Sequence, residues 1–381
     1  MSTKQLFALF ICSLIPWTVG TALVSLLPVY ATRLGANSIV TGNYLASAFL
    51  ALALGTVIGG WLFDKFQHRK RLLMAAGLLS VVTIGLMSPA TQIWQLFVLT
   101  PIVFLLAGIV LAMTNALVGL FAEASQRGKI FGIIGFSIGL GNLIGGFVSG
   151  PIVDRWGFPT LFVISAFCWI LLPVTALFLQ ERVIEVDWDA LKTSPSSPLG
   201  RAFYVLLIAN TIAWLSVFIS DLARPLQMDK LGFDAAAISG AVAIGGAVSL
   251  PLPFLLGWLS DRFGRQHLIA LCFLAGTIGL LLLAAATALW QFWISTALLA
   301  LISSSTVVGS ALVTDLIPPE ALGRGLSRYG ATNWIAGVMG FAVTGYAIQT
   351  FGMAMTFSIG AGLTLFAIIV LSRVQPTRQT A

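Results

Sequence analysis

Asn210, Trp214, Asp221 and Arg224 follow one another at spacings of four, seven and three, which places all four on one face of a helix. The run around them is apolar, and an ionised carboxylate in such a run costs about 3 kcal/mol on insertion scales. Asp221 therefore marks either a proton-carrying group or one half of an ion pair with Arg224, three residues on. Five further polar or amphipathic residues sit in other apolar runs: Asn115, Asn142, Ser304, Asn333 and Trp334. Each is suited to touching a solute and equally to tying two helices together. Bond-breaking chemistry finds no support. The two histidines, His68 and His267, fall in short polar loops, and Cys12, Cys168 and Cys272 stand singly. No Cys, His or carboxylate cluster shares a helix face, so the chain does not read as an enzyme and calls for no cofactor or metal.

The elements that carry these residues are set by composition. Charged residues make up 9% of the 381, hydrophobic ones 58%, and mean hydropathy is +1.00. Water cannot be the solvent for most of that surface. Crossing about 30 Å of hydrocarbon takes about 20 helical residues, and twelve such stretches can be marked: 5–30, 38–63, 71–89, 93–122, 128–151, 158–180, 202–227, 235–260, 267–287, 290–316, 325–350 and 353–373. The expected fold is an all-α membrane protein with twelve transmembrane helices. The first stretch lacks a small-residue cleavage site and reads as a retained span.

Lys and Arg fix the expected orientation, because cytoplasmic loops retain them. With the N-terminus inside, all but Arg33, Arg155, Arg224 and Lys230 of the 20 fall on the cytoplasmic side. Both termini are then cytoplasmic in a multi-pass membrane protein. The net charge of +7 is accounted for by topology, with no nucleic-acid partner.

The chain also repeats itself at an offset of 197 residues, reading without a gap from about 28 to 128. Pro28 matches Pro225, Leu34-Gly35 matches Leu231-Gly232, Gly60-Trp61-Leu62-x-Asp64 matches Gly257-Trp258-Leu259-x-Asp261, and Glu123-Ala124-x-x-Arg127-Gly128 matches Glu320-Ala321-x-x-Arg324-Gly325. Both copies keep the same order of charge and apolar runs, so they cross the bilayer in the same direction. Three segments follow: a six-helix bundle over 1–180, a polar cytoplasmic linker over 181–201, and a second six-helix bundle over 202–381. Such parallel duplication points to a transporter with a central pathway. Shifted by 197, the face of Asn210 and Trp214 becomes Ser13 and Trp17, with Thr21 nearby, which pairs Trp17 with Trp214 near mid-membrane. Small residues at helical spacing, Ser47, Ala51, Gly55 and Gly59 in the second span and Gly128 to Gly150 in the fifth, allow helices to approach closely, either within a bundle or between bundles.

Asp64 and Asp261 each end a span descending toward the cytoplasm, where the helix's own carbonyls are already negative. A carboxylate there needs a positive partner, and the start of a helix supplies one. The expectation is that Asp64 docks on the start of the eleventh span and Asp261 on the start of the fifth. Gly60-Trp-Leu-Phe-Asp64-Lys65-Phe-Gln-His-Arg69-Lys70 and Gly257-Trp-Leu-Ser-Asp261-Arg262-Phe-Gly264-Arg265 resemble the loop signature of the major facilitator superfamily, and the likeness extends over the whole chain. It implies a secondary transporter in which Asp64, Lys65, Arg69, Asp261, Arg262 and Arg265 close the cytoplasmic side; the repeated Glu123, Arg127, Glu320 and Arg324 are expected at the same gate. It also places the first, fourth, seventh and tenth spans around the substrate cavity. The first copy departs from the signature at Gln67, where the family has Gly. Two marks of drug/proton antiporters are missing: Phe104 stands four residues before Gly108 where an Arg is usual, and Gly139-Leu140-Gly141-Asn142 lacks a proline.

The resulting expectation is a monomeric exporter in the multidrug branch, moving a neutral or amphipathic small molecule by alternating access, with protons coupled through Asp221. A facilitator or symporter for a neutral polar solute such as a sugar, and a lipid translocator, are the alternatives. Trp17, Thr21, Asn115, Asn142, Asn210, Trp214, Ser304, Asn333 and Trp334 are the candidate cavity residues.

Overall fold

The structure, a computed structural model, describes residues 3–374 apart from 67, 122–126, 180–198 and 319–320, and describes 127–129 and 131 by backbone alone. Thirteen helices follow in order: α1 (Thr3–Val24), α2 (Leu27–Arg33), α3 (Ser38–Lys65), α4 (Arg69–Met87), α5 (Ile93–Phe121), α6 (Arg127–Ala176), α7 (Gly200–Lys230), α8 (Ala235–Ser249), α9 (Leu252–Phe263), α10 (Arg265–Ala284), α11 (Leu289–Ser304), α12 (Thr306–Leu316) and α13 (Leu322–Leu371). No strand occurs among the described residues.

Helices and spans are not one to one. α6 and α13 are 50 residues each, about 75 Å at helical rise, far more than one crossing needs. Each folds back on itself at a glycine in the left-handed region, Gly157 (φ 79°) and Gly352 (φ 78°), which a residue with a Cβ rarely adopts. Conversely, α8 and α9 form one crossing bent by 46°, and α11 with α12 another. The break between α8 and α9 falls at Leu250-Pro251, where proline removes a backbone donor. Counted this way, the described residues make twelve crossings. Apolar side chains such as Phe147 (70% exposed), Val57 (71%) and Phe254 (68%) form the outward surface, as in a protein whose solvent is lipid.

The duplication is visible in local geometry. Gly35 and Gly232 are both left-handed, and two residues beyond each, Asn37 and Asp234 cap the next helix, accepting from Val40 N at 2.9 Å and Ala237 N at 2.7 Å. The offset is not constant, however. Gln95 and Gln291, 196 apart, each receive two amides at the start of their helices, and the left-handed Gly157 and Gly352 are 195 apart. The ungapped reading of the repeat is thus corrected: the offset is 196 at the start of the fourth crossing, 197 again at Glu123 and Glu320, and 195 at the reversal after the fifth.

Consecutive crossings alternate in direction. One face of the molecule carries Thr3, Asp64, Asp261 and Val374 and is called here the terminal face. The other carries Gly35, Asp154, Gly232 and Gly352 and is called the far face. Of the linker expected over 181–201, residues 181–198 lie outside the described ones, and Gly200 and Arg201 already belong to α7.

Candidate functional site

The two halves, helices α1–α6 and α7–α13, meet along two seams, α6 against α8 and α3 against α13. Glycine makes both possible. A Cβ on Gly146 would lie 2.6 Å from Ala243 N, and one on Gly150 would collide with the backbone of Ala235 and Ala236. On the other seam, a Cβ on Gly42 would lie 2.9 Å from Gly345 Cα, and one on Gly337 would lie 2.7 Å from Phe49 Cδ1. Lipid supplies no hydrophobic drive between helices, so close backbone approach of this kind is one of the means by which the halves are bound.

All of these contacts belong to the far-face side. On α6 the stripe continues toward the terminal face through Gly139, which still meets Leu250, to Gly135 and Gly132, where an added Cβ would meet nothing within 4 Å. On α13 the same holds at Gly330 and Gly323, whereas Gly337 and Gly340, a turn or two farther out, are packed. The bend at Leu250-Pro251 swings α9 away from α6, and α9 packs with α8 and α10–α12 of its own half. The halves therefore diverge, closed at the far face and parted at the terminal face. Of the two small-residue stripes, only that of α6 lies between the halves. Gly55 and Gly59 of α3 instead press on the backbone of Leu105 and Ile109 in α5, within one half.

Where the parting begins, aromatic rings from both halves form a roof. Phe49 of α3 stands 5.1 Å from Phe218, 4.8 Å from Phe341 and 6.4 Å from Trp334, and Phe218 stands 5.2 Å from Phe341 and 5.8 Å from Trp214. Ring pairs at these separations add about 0.5–1.5 kcal/mol each beyond the area they bury. None of the three phenylalanines was singled out from the sequence, because a phenylalanine in an apolar span looks the same whether it faces lipid or a partner helix.

The cavity candidates divide by what they bond. Asn210 is buried and spends both amide hydrogens within its half, on Thr332 Oγ1 at 2.7 Å and Asn333 Oδ1 at 3.1 Å, while accepting from Tyr329 Oη at 3.1 Å. Thr21 donates to Asn142 Oδ1 at 2.6 Å, joining α1 to α6. Trp17 is half-buried in that same contact, its Cβ only 2.8 Å from where one on Gly141 would sit. Ser304 is buried at the break between α11 and α12. Trp214, Asn333 and Trp334 are half-buried beneath the roof, and Asn115 is exposed. The Trp214 indole N–H is buried and has no hydrogen-bond partner among the described residues.

Asp221 and Arg224 lie beyond the roof, toward the far face. Their side chains approach to 3.5 Å, and Arg224, only 5% exposed, also donates to Thr296 Oγ1 at 3.0 Å. The pair ties α7 to α11 inside one half.

The charged signature residues do not dock across the halves. Asp64 and Asp261 are exposed, and neither has a hydrogen bond or ion pair with another described residue. Lys65 lies 4.5 Å over Trp61, Arg262 lies 4.0 Å over Trp258, and Arg69 covers Phe63 while donating to its carbonyl at 3.2 Å. Arg265 pairs with Asp315 at 2.6 Å. Every one of these contacts stays within one half. The expected docking of Asp64 and Asp261 is corrected for this conformation: the helix starts they were to reach lie on the face where the halves have parted. Glu123 and Glu320 lie outside the described residues, as does the Arg127 side chain, and Arg324 is half-buried at the start of α13.

The same physics operates at the other face, through a residue the sequence reading passed over. Asp154, near the end of the fifth crossing, accepts from Ala235 N at 2.9 Å and Ala236 N at 2.8 Å, one carboxylate oxygen each, across the seam. Arg33 and Asp229 add a rim ion pair between the halves at 3.3 Å, with Arg33 half exposed.

Two six-helix halves packed together at one face and parted at the other, with the space under the aromatic roof left between the parted ends, have the build of a secondary transporter that works by alternating access. A profile of the Major Facilitator Superfamily matches residues 6–204 and 206–381, and the chain belongs to that family. It is 25% identical over 363 residues to the multidrug resistance protein MdtG of Proteus mirabilis (strain HI4320), covering 90% of this chain and 89% of that protein. The MdtG of Salmonella typhi is 23% identical over 367 residues, with 90% and 88% covered. Among solved structures, a D-xylose-proton symporter superposes with a TM-score of 0.78 at 18% identity over 98% of both chains. A peptide transporter POT in complex with sulfate gives 0.77 at 15% identity over 97% of this chain and 94% of that one. The chain is a multi-pass membrane transporter of small molecules.

Proposed function

We propose that this protein exports neutral or amphipathic small molecules from the cytoplasm across the inner membrane, as a monomer with both termini cytoplasmic. In this reading the parted face opens inward, and the hollow accepts its cargo from the cytoplasm or the inner leaflet. The observation that carries the proposal is the roof of Phe49, Phe218 and Phe341 with Trp214 and Trp334 beneath it. Rings offer area and polarisable faces without directed hydrogen bonds, which suits ligands that vary in shape. The multidrug resistance names of the relatives point the same way.

The sugar-facilitator reading is weaker on specific grounds. Sugar recognition needs several free donors and acceptors, yet Asn210 and the Asn142 carbonyl are engaged in bonds within their halves. Asp221 is read as a fixed ion pair rather than a proton carrier. Protonating it would leave the buried Arg224 guanidinium without its counter-charge. Asp64, Lys65, Arg69, Asp261, Arg262 and Arg265, with Arg127 and Arg324, are proposed to form the inward-face gate in the opposite conformation, when the parted ends meet.

Reconstituted vesicles loaded with an amphipathic dye provide the test. Export against a concentration gradient, stopped by an uncoupler, is expected. Movement only down the gradient, indifferent to the uncoupler, would replace the exporter with a facilitator.

A further inference from the structure

We propose that Asp154 is a positioning residue that holds the far face shut and so sets how often the transporter opens there. The inference rests on the transporter reading above, because it assigns a residue to one step of that cycle.

The start of α8 presents three amides with no partner inside the helix. Asp234, the residue before α8, takes the third, Ala237 N, at 2.7 Å. The first two go to Asp154 of the other half, one to each oxygen, at 2.9 and 2.8 Å. A carboxylate at the positive end of a helix gains from both charge and hydrogen bonding. Because the carboxylate and the amides belong to different halves, these bonds exist only while the seam is closed. One turn below, Gly150 N donates to Ser239 Oγ at 3.0 Å and brings the two backbones into register.

The other seam has no such device among the described residues. Asp154 stands three residues before the left-handed Gly157, and the residue three before the left-handed Gly352 is Gln349. Gln349 is exposed and makes no hydrogen bond with a described residue. Among the described residues that seam closes by backbone apposition, with Gly345 set against Ser38, Ile39 and Gly42, and by the aromatic roof. Duplication thus gave both seams their small residues, but among the described residues only the α6–α8 seam carries a carboxylate clasp, the Arg33–Asp229 pair lying at the rim outside both seams.

Spin labels on Thr91→Cys and Thr287→Cys, exposed on far-face loops of opposite halves, report the separation by pulsed electron resonance in the full reconstituted chain, after replacement of Cys12, Cys168 and Cys272. Asp154→Ala is expected to raise the population with a wide far-face separation roughly 2- to 30-fold, the range that losing a helix cap spans. Asp154→Asn, which keeps the shape but offers one acceptor and no charge, is expected to fall between it and the parent. Gln349→Ala should leave the distances unchanged. A parent-like distribution in Asp154→Ala and Asp154→Asn, in an assay where Gly42→Ala does widen the gap, overturns the proposal. If the parent moves no compound in vesicles while Asp154→Ala still widens the gap, the clasp stands and the transport reading falls.

Discussion

Placing one methyl group on the glycine seam should change which face is open without unfolding either half. In Gly42→Ala the new Cβ would lie 2.5 Å from Phe341 O, 2.9 Å from Gly345 Cα and 3.1 Å from Gly345 N. All three are backbone atoms of the opposite half, so no side chain can swing aside, and ordinary contact requires the backbones to part by about 1 Å. Overpacking of this kind costs about 1–3 kcal/mol. The strain is present only when the far face is shut, so the whole of it biases the equilibrium, by roughly 5- to 150-fold toward the far-open state. The matched control is Gly55→Ala, whose Cβ would collide with the Leu105 backbone inside the same half. It should lower thermal stability by a similar amount and leave the state populations alone. The Thr91–Thr287 label pair reads both. If Gly42→Ala and Gly55→Ala change the far-face separation equally, or neither does, the seam does not carry the conformational change and the reasoning fails.

Three other outcomes follow from named contacts. Phe218→Ala removes the ring that touches Phe49, Phe341 and Trp214; dye retained by parent vesicles should then leak down its gradient, and tight vesicles would show that the roof is not the seal. Asn210→Ala strands the Tyr329 hydroxyl and should cost about 1–3 kcal/mol in thermal unfolding with KM little changed; a raised KM at unchanged stability would make Asn210 a ligand contact instead. Asp221→Asn should lower stability by about 1.5–3 kcal/mol, the worth of a bond to a charged group, and leave uncoupler-sensitive export intact in the folded fraction. Loss of the coupled drive at full stability would return Asp221 to the role of proton carrier.

The architecture was legible because lipid writes plainly: spans of uniform hydropathy, basic loops on one side, and a repeat that kept Gly35 and Gly232 left-handed. The break at Leu250-Pro251 could be read from its proline. The side on which the halves meet could not, since one sequence serves every conformation of the cycle and the energy differences between them are a few kcal/mol. Asp64 and Asp261 drew attention because they occur twice. Asp154 escaped because its counterpart in the other half is Gln349, so comparing the copies gave no signal, and beside Arg155 it passed for an ordinary loop charge. Phe49 and Phe218 escaped for a plainer reason: in a chain that is 11% aromatic, ring content alone does not separate a roof from a lipid-facing surface.

The hairpins at Gly157 and Gly352 leave nothing between the fifth and sixth crossings, or between the eleventh and twelfth, except the reversal itself. A joint with so little spare chain ties the two limbs closely, so a swing of α6 at the seam is expected to draw its outer limb with it. On that expectation the peripheral helices on the lipid side share in the cycle, and the rate should respond to the thickness and stiffness of the surrounding bilayer.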